Sequence, residues 1–170
     1  IGTVRRDEDG VRVRAILGEA FLPLRLDVSD SAGLPQAVRQ VEQWVGADGL
    51  AALVNNAGIA SPSGPLMLQP LEEIRGMFEV NLFGTLALTQ LALRGMIKRQ
   101  SGTVLLVSSI AGRIPMPFLM PYSMSKFALS AAGAGLREEL QQLRCGVHVA
   151  LIEPGAIHTG FNQAMTDRKY

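Results

Sequence analysis

Three residues suited to acid–base chemistry lie in one short stretch, SIAGRIPMPFLMPYSMSK, which begins at Ser109 and ends at Lys126. Tyr122 and Lys126 are four residues apart, so on a helix they would lie on the same face. A phenol ionises near pH ~10, and a neighbouring ammonium lowers that pKa by favouring the phenolate. The spacing therefore predicts a tyrosine that exchanges a proton near neutral pH, as general acid–base catalysis requires. Ser109 could hold a substrate oxygen beside the phenol.

Each of these residues also has a structural interpretation. An isolated Tyr-x-x-x-Lys spacing is more often an exposed helix pair than a catalytic site. Ser109 could simply end a strand, and the adjacent Ser108 is the more structural of the two hydroxyls. The surrounding elements must decide between these interpretations.

Strands and helices alternate along the chain. The apolar pattern predicts strands at residues 1–4, 21–28, 50–54, 102–108 and 147–152, and helices at 7–18, 34–45, 71–99 and from Tyr122 to about Arg144. This order is typical of an α/β fold with a doubly wound parallel sheet. Ligands of such sheets bind beyond the carboxyl ends of the strands, where Asp27, Asn55, Ser109 and Pro154-Gly155 all stand.

Composition limits the class of protein. The chain has 170 residues, 48% of them hydrophobic and 18% charged, which suits one domain over residues 1–170. A net charge of +1 gives no broad basic field for nucleic acid. Cys145 is the single cysteine, so an internal disulfide is excluded and a cysteine-based metal site is disfavoured. The chain has no run of about 18 apolar residues, so no membrane span is predicted. A cytoplasmic location is expected.

The segment YSMSKFALSAAGAGLREEL, from Tyr122 to Leu140, resembles the branch of the short-chain dehydrogenase/reductase family that acts on steroids, retinoids and similar lipophilic alcohols and ketones. Five sequence elements in register resemble the family as a whole. They are the motif Asn55-Asn56-Ala57-Gly58, Asn81 within VNLFG, Ser109, the pair Tyr122 and Lys126, and Pro154-Gly155 followed by Thr159. The resemblance implies a Rossmann-type three-layer α/β/α fold. It also implies a nicotinamide-dependent hydride transfer to or from a carbonyl or secondary alcohol.

The resemblance assigns a role to each residue. Tyr122 would be the acid/base, Lys126 would lower its pKa and bind the nicotinamide ribose, Ser109 would hold the substrate oxygen, and Asn81 would keep a water in a proton relay. The remaining residues would contact the cofactor: Asp27 and Val28 at the adenine, Asn55, Ala57 and Gly58 along the dinucleotide, and Pro154, Gly155, Ile157 and Thr159 at the nicotinamide.

The family's first strand–helix unit, with its glycine-rich turn TGxxxGxG, is missing from this chain. That turn brings backbone N–H groups to the pyrophosphate. The family's first strand lies between the strand ending at Val4 and the strand ending at Asn55, so two strand edges are expected to lack partners. Because Ile1 falls within a strand, we expect the natural protein to continue upstream.

The residues after the first strand bear on the choice of nicotinamide. Arginine accommodates the 2′-phosphate of NADP, whereas an acid at this place binds the ribose of NAD. Arg5 and Arg6 follow Val4, which favours NADP(H), and NAD(H) remains possible because Asp7 and Glu8 come shortly after. The two arginines could equally be a solvated strand end.

Two apolar features have more than one interpretation. The loop IPMPFLM, Ile114 to Met120, could line a pocket for a lipophilic substrate, pack beneath a loop, or contact another subunit. The helices from Leu71 and from Tyr122 are apolar beyond one stripe, which in the family suits a homodimer or homotetramer. A rival function is a truncated or non-catalytic member of the family that acts by binding dinucleotide or by oligomerising.

Overall fold

The computed structural model describes residues 1–60, 63–157 and 161. Its strands and helices alternate as the sequence predicts. The strands are β1 (Gly2–Val4), β2 (Pro23–Arg25), β3 (Ala52–Asn55), β4 (Gly102–Val107) and β5 (Val147–Ile152). The helices are α1 (Asp7–Leu17), α2 (Leu34–Val45), α3 (Leu71–Phe78), α4 (Thr85–Arg99) and α5 (Met120–Leu143). Parallel sheets flanked by helices confirm the doubly wound α/β fold.

Strand β2 is shorter than the predicted strand over residues 21–28. Its end is set by Asp27, whose Oδ1 accepts hydrogen bonds from the Ser29 backbone N–H at 2.9 Å and from the Ser29 hydroxyl at 2.6 Å. An aspartate that bonds two residues ahead closes a turn and ends the extended segment. The polar sequence therefore overrides the apolar pattern at this strand end.

The five strands form two separate sheets among the described residues. β1 pairs with β2, and β4 pairs with β3 on one side and β5 on the other, all in parallel. β1 and β3 each leave one edge facing a cavity of about 250 Å³, lined by Ile1, Gly2 and Thr3 on one side and by Ala52, Leu53 and Val54 on the other. The expectation of two partnerless strand edges at this position is thus confirmed.

The predicted helix over residues 71–99 is continuous, but its middle is π-helical rather than α-helical. Between α3 and α4, residues Glu79–Gly84 form a π-helical segment that contains the buried Asn81. Gly84 ends this segment where a Cβ atom would overlap the carbonyl oxygen of Val28. The loop after β2 therefore packs directly on the helix backbone, which requires a glycine there.

Leu71–Arg99 is also long and apolar enough, by length and composition alone, to cross a membrane. Its most apolar window has a mean hydropathy of 1.2, and 44% of that window is buried inside the protein. Met77, Asn81 and Met96 are almost fully covered by the rest of the fold. A core helix of this kind passes the same test, so the finding carries little weight for a membrane span.

Two apolar clusters hold the elements together. One cluster contains Val104 and Leu106 of β4 with Leu129 of α5, and the other packs Leu24 and Leu26 against α2. A Cβ atom added at Gly133 of α5 would lie 2.7 Å from Leu151 and 2.8 Å from Leu106. The glycine therefore lets α5 lie close to the sheet. The sheet in turn fixes the start of α5 over the ends of β4 and β5.

Candidate active site

Ser109 and Tyr122 meet at the carboxyl end of β4. Ser109 caps the short 3₁₀ turn Ile110–Gly112, and its Oγ accepts a hydrogen bond of 3.1 Å from the Ala111 N–H. The same side chain lines one cavity with the Tyr122 phenol and acts to lower the pKa of that phenol. Tyr122 lies in the first turn of α5, which Pro121 helps to start. The predicted pairing of the hydroxyl and the phenol is therefore present in the structure.

The backbone on both sides of Ser109 is anchored to β5 and to the turn that follows it. The Ser108 N–H donates to the Ile152 carbonyl at 2.8 Å, and the Ile110 N–H donates to the Pro154 carbonyl at 2.9 Å. Ser109 is thus held between two backbone hydrogen bonds. These bonds bring Pro154 next to the serine, although the two residues are 45 positions apart in the chain.

Lys126 is buried beneath the phenol, with only 4% of its surface exposed. Its Nζ donates a hydrogen bond of 2.9 Å to the Val107 carbonyl and lies 5.7 Å from the centroid of the Tyr122 ring. Burial lowers the pKa of Lys126 to about 8, because an ammonium loses hydration in the protein interior. The helical spacing does place the two side chains together.

The pKa of Tyr122 differs from the sequence-based expectation. Burial of the ring raises this pKa above its usual value, and the hydrogen bond from Ser109 opposes the rise. The expected lowering of this pKa by Lys126 is wrong, because burial disfavours the charged phenolate and is the dominant effect. The phenol is therefore protonated at neutral pH.

Asn81 links three parts of the site through its side-chain amide. Its Oδ1 accepts from the Ile59 N–H at 2.8 Å, and its Nδ2 donates to the Ile59 carbonyl at 2.9 Å and to the Ser125 Oγ at 3.0 Å. Ser125, beside Lys126 in sequence, donates in turn to the Tyr122 carbonyl at 2.8 Å. The amide therefore connects the loop after β3, the π-helical segment and α5.

A cavity of about 590 Å³ opens over these residues. The predicted site residues among its lining are Ala57, Gly58, Ser109, Tyr122, Lys126, Pro154, Gly155 and Ile157. The apolar loop contributes Met116 and Leu119, whereas its Ile114 and Phe118 are exposed. A concave, largely apolar site with a few converging polar groups is the usual form of a ligand pocket.

Gly58 leaves a gap in the wall of this cavity next to two polar groups. A Cβ atom added there would lie 3.4 Å from Asn81 Oδ1 and 3.5 Å from Lys126 Nζ. A glycine at this point lets a ligand approach the lysine ammonium and the backbone closely. Gly155 also lines the cavity, and a Cβ atom there would meet nothing within 4 Å.

The other predicted cofactor residues that the structure describes lie outside the lining of this cavity. Asn55 is buried behind it, where its Nδ2 donates to the Thr89 Oγ1 at 3.0 Å and ties β3 to α4. The Val28 side chain belongs to the apolar cluster around α2. Asp27 occupies the turn after β2, and its pKa is lowered chiefly by the hydrogen bonds from Ser29. Thr159 lies outside the described residues.

The two arginines after β1 differ in their surroundings. Arg6 forms two hydrogen bonds to Asp9, at 3.0 and 3.2 Å, so its guanidinium is already paired. Arg5 is exposed, and its charge also acts on Asp27. Of the two, Arg5 is the better placed for an incoming anion.

Sequence reasoning missed several groups of the site. Ser125 and Ile59 hold Asn81, yet nothing in their spacing marks them, because the contacts join positions 22 and 44 residues apart. Phe161 contacts the Tyr122 ring with the two centroids 5.9 Å apart. The sequence signal that could have led to Ser125 and Ile59 is the asparagine inside an apolar helix, since a buried amide requires partners.

This arrangement of fold and site has counterparts among known proteins. A family model described as short chain dehydrogenase matches residues 2–169, and the chain belongs to this family. An NADPH-dependent 3-dehydrocapnine reductase from Ornithobacterium rhinotracheale is 42% identical over 162 residues, which are 93% of this chain and 56% of that protein. Retinol dehydrogenase 16 of Mus musculus is 38% identical over 135 residues, 79% of this chain and 41% of that protein.

The fold match extends to solved structures. A structure titled ElxO with NADP bound superposes with a TM-score of 0.87 and 26% sequence identity, covering 95% of this chain and 64% of that one. The chain therefore spans about half the length of the curated relatives it matches and about two thirds of this solved chain. The predicted family is confirmed.

Proposed function

We propose that the protein transfers a hydride reversibly between NADP(H) and the carbonyl or secondary alcohol of a lipophilic small molecule. The observation that carries the proposal is the convergence of Ser109 and Tyr122 on one cavity, with Lys126 buried beneath. These are the donors needed to hold and protonate a carbonyl oxygen. Relatives that are named as an NADPH-dependent reductase and a retinol dehydrogenase support it.

The residues present fit the nicotinamide end of a dinucleotide. Gly58 gives access to Lys126 Nζ and Asn81 Oδ1 on one side of the cavity, and Pro154, Gly155 and Ile157 form the other side. When bound, the dinucleotide would supply or accept the hydride. Lys126 would hold its ribose, and Arg5 would face its 2′-phosphate.

The protein's own groups would move the proton. Tyr122, whose raised pKa keeps it protonated at neutral pH, would give its proton to the carbonyl oxygen during reduction and take it back during oxidation. Ser109 would donate a hydrogen bond to the same oxygen. The Lys126 ammonium beside the phenol would stabilise the phenolate left after the transfer. Asn81 would keep this part of α5 in place.

The substrate is proposed to be apolar because apolar side chains surround the reacting groups. Ile110, Met116, Leu119 and Ile157 line the cavity around Tyr122. Burying an apolar substrate against such a wall contributes about 25 cal/mol for each Å² removed from water. Steroid-like and retinoid-like carbonyls are the first compounds to test.

The test is NADPH oxidation with a panel of apolar ketones and aldehydes, comparing the wild-type protein with Tyr122→Phe. Tyr122→Phe keeps the ring and its packing but removes the transferable proton. We expect turnover to fall about 10²–10⁴-fold while NADPH binding is kept. Equal turnover by both proteins would overturn the assignment of Tyr122. Binding of NADPH without turnover of any compound would favour the rival, a dinucleotide-binding protein without catalysis.

A homo-oligomer is a second part of the proposal. Phe83, between α3 and α4, and Phe127 of α5 are 51% and 37% exposed, and large exposed aromatic side chains are enriched at subunit interfaces. We expect sedimentation to give a dimer or tetramer. The double variant Phe83→Asp and Phe127→Asp should then shift the oligomeric state towards monomer. A monomeric wild-type protein would contradict the proposed homo-oligomer.

A further inference from the structure

A chain of polar side chains runs from the protein surface to the helix turn that carries Lys126. The exposed Arg113 donates through Nε to both carboxylate oxygens of Glu153, at 2.8 and 2.9 Å. Ser130 of α5 donates to Glu153 Oε1 at 2.9 Å. The Ser130 hydroxyl also lies 2.7 Å from the Ser108 hydroxyl, and Ser108 donates to the Lys126 carbonyl at 3.1 Å. None of these hydroxyls takes part in the proposed proton transfer.

The hydroxyl groups in this side-chain network supply fewer hydrogens than its hydrogen bonds require. Three contacts need a hydrogen, namely Glu153 with Ser130, Ser130 with Ser108, and Ser108 with the Lys126 carbonyl. The two serines supply only two hydrogens. Burial would raise the pKa of Glu153, but the hydrogen bonds from Arg113 and Ser130 hold it below its usual value, so the ionised carboxylate supplies none.

The charge on Glu153 decides how the two hydrogens are used. A hydrogen bond to a carboxylate is stronger than one to a neutral acceptor, so the Ser130 hydrogen points to Glu153. The Ser130 oxygen then accepts from Ser108, which shares its hydrogen with the Lys126 carbonyl. Ser130 is therefore the one residue through which the ion pair on the surface orders the hydroxyl beside Ser109.

The elements joined by this chain are those that carry the candidate active site. Glu153 precedes Pro154, whose carbonyl accepts from the Ile110 N–H. Gly112 packs so closely on α5 that a Cβ atom there would lie 2.7 Å from the Lys126 carbonyl oxygen and 2.8 Å from Ser130 Oγ. The turn after Ser109, the turn at Pro154 and one turn of α5 thus converge on Ser130.

We infer that Ser130 is a positioning residue, through which the Arg113–Glu153 ion pair holds the turn at Pro154 and the Ser109 segment against the helix turn of Lys126. Its kinetic consequence rests on the proposed hydride transfer, whereas its structural consequence does not. Misplacing reacting groups by a fraction of their contact distance lowers the rate of the chemical step. Ser130 touches neither substrate nor cofactor in this scheme.

The kinetic test uses single and double variants. Ser130→Ala and Arg113→Gln are each expected to lower kcat about 3- to 10-fold with the KM for the carbonyl substrate nearly unchanged. The double variant should lose no more kcat than the more impaired single variant, because both substitutions break the same hydrogen-bond network. Ser130→Thr keeps the hydroxyl and should restore kcat. Arg75→Gln, which breaks the exposed pair between Arg75 and Glu72, is the matched control and should leave kcat unchanged.

A second measurement does not depend on turnover. Amide hydrogen exchange should show that the Ile110 N–H loses protection in Ser130→Ala and in Arg113→Gln, while the Val104 N–H in the middle of β4 keeps it. Losses of kcat that multiply in the double variant, or an Ile110 amide as protected as in wild type, would overturn the inference. If no carbonyl compound is turned over by the wild-type protein, the proposed function fails and the exchange result still decides the role of Ser130.

Discussion

Lys126 Nζ donates its 2.9 Å hydrogen bond to the carbonyl of Val107 while lying 5.7 Å from the centre of the Tyr122 ring. The lysine is therefore held by β4, and it acts on the tyrosine by proximity across the face of the ring. Burial of the ammonium at this position lowers its pKa to about 8. It also gives the first prediction.

Replacing Lys126 should change how the stability of the protein depends on pH. Because burial lowers the lysine pKa from 10.5 to about 8, the unfolded chain binds more protons than the folded chain between these values, and stability rises with pH across that window. In Lys126→Met this rise, roughly 1–3 kcal/mol, should disappear. Urea unfolding at about pH 7 and about pH 9.5 measures it.

Lys98→Met is the matched control, since Lys98 is an exposed lysine of α4. Its pH profile should follow that of the wild-type protein. A rise in stability that survives in Lys126→Met would show that another group titrates in this window.

Arg5→Ala should separate the two nicotinamide dinucleotides. Losing an exposed charge beside the 2′-phosphate is expected to raise the Kd for NADPH about tenfold, with the Kd for NADH changed less than about twofold. Dinucleotide fluorescence during titration measures both. The control is Arg14→Ala, which removes an arginine of α1 that pairs with Glu19. Equal weakening of NADPH and NADH, or tighter binding of NADH by the wild-type protein, would contradict the preference for NADP(H).

Asn81→Ala should destabilise the fold as well as the site. The substitution leaves both backbone groups of Ile59 and the Ser125 hydroxyl without the side-chain partner that they have now. An unsatisfied buried group costs about 1–3 kcal/mol. The Ile59 groups are only partly buried, and the Ser125 hydroxyl keeps its bond to the Tyr122 carbonyl, so we expect a smaller total loss of about 2–4 kcal/mol in urea unfolding. Gln90→Ala, an exposed amide of α4, should cost less than about 0.5 kcal/mol. A similar cost for both variants would argue that the Asn81 network is weak.

Two glycines of the long helical stretch should respond oppositely to alanine. At Gly84 the new methyl group would overlap the Val28 carbonyl oxygen, so Gly84→Ala is expected to destabilise the protein by about 1–3 kcal/mol. At Gly76 the methyl group meets nothing within 4 Å, and Gly76→Ala should stabilise the helix by about 0.5–1 kcal/mol. Thermal unfolding of both variants tests the pair, and a stable Gly84→Ala would mean that the loop after β2 does not press on the helix.

The predicted positions of the candidate site residues depend largely on local signals. The spacing of Tyr122 and Lys126 requires only that α5 is a helix, and the strand ends require only a parallel sheet. The same reasoning placed Asp27, Asn55, Ser109 and Pro154-Gly155 at one edge of the sheet. Ser109, Pro154 and Gly155 line one cavity, whereas Asn55 is buried against Thr89 and Asp27 closes the turn after β2.

The sequence by itself determined the order of strands and helices, the parallel sheet and the residue types that gather at its carboxyl edge, because these depend on periodicity and spacing within single elements. Tertiary structure alone decided the direction of the Tyr122 pKa shift, since burial of the ring outweighs the opposing effect of Ser109. It also decided the partners of Asn81 and Ser130, which come from segments 22 to 44 residues away. Hydrogen bonds and desolvation depend on distances in space, and no pattern along the chain specifies those distances.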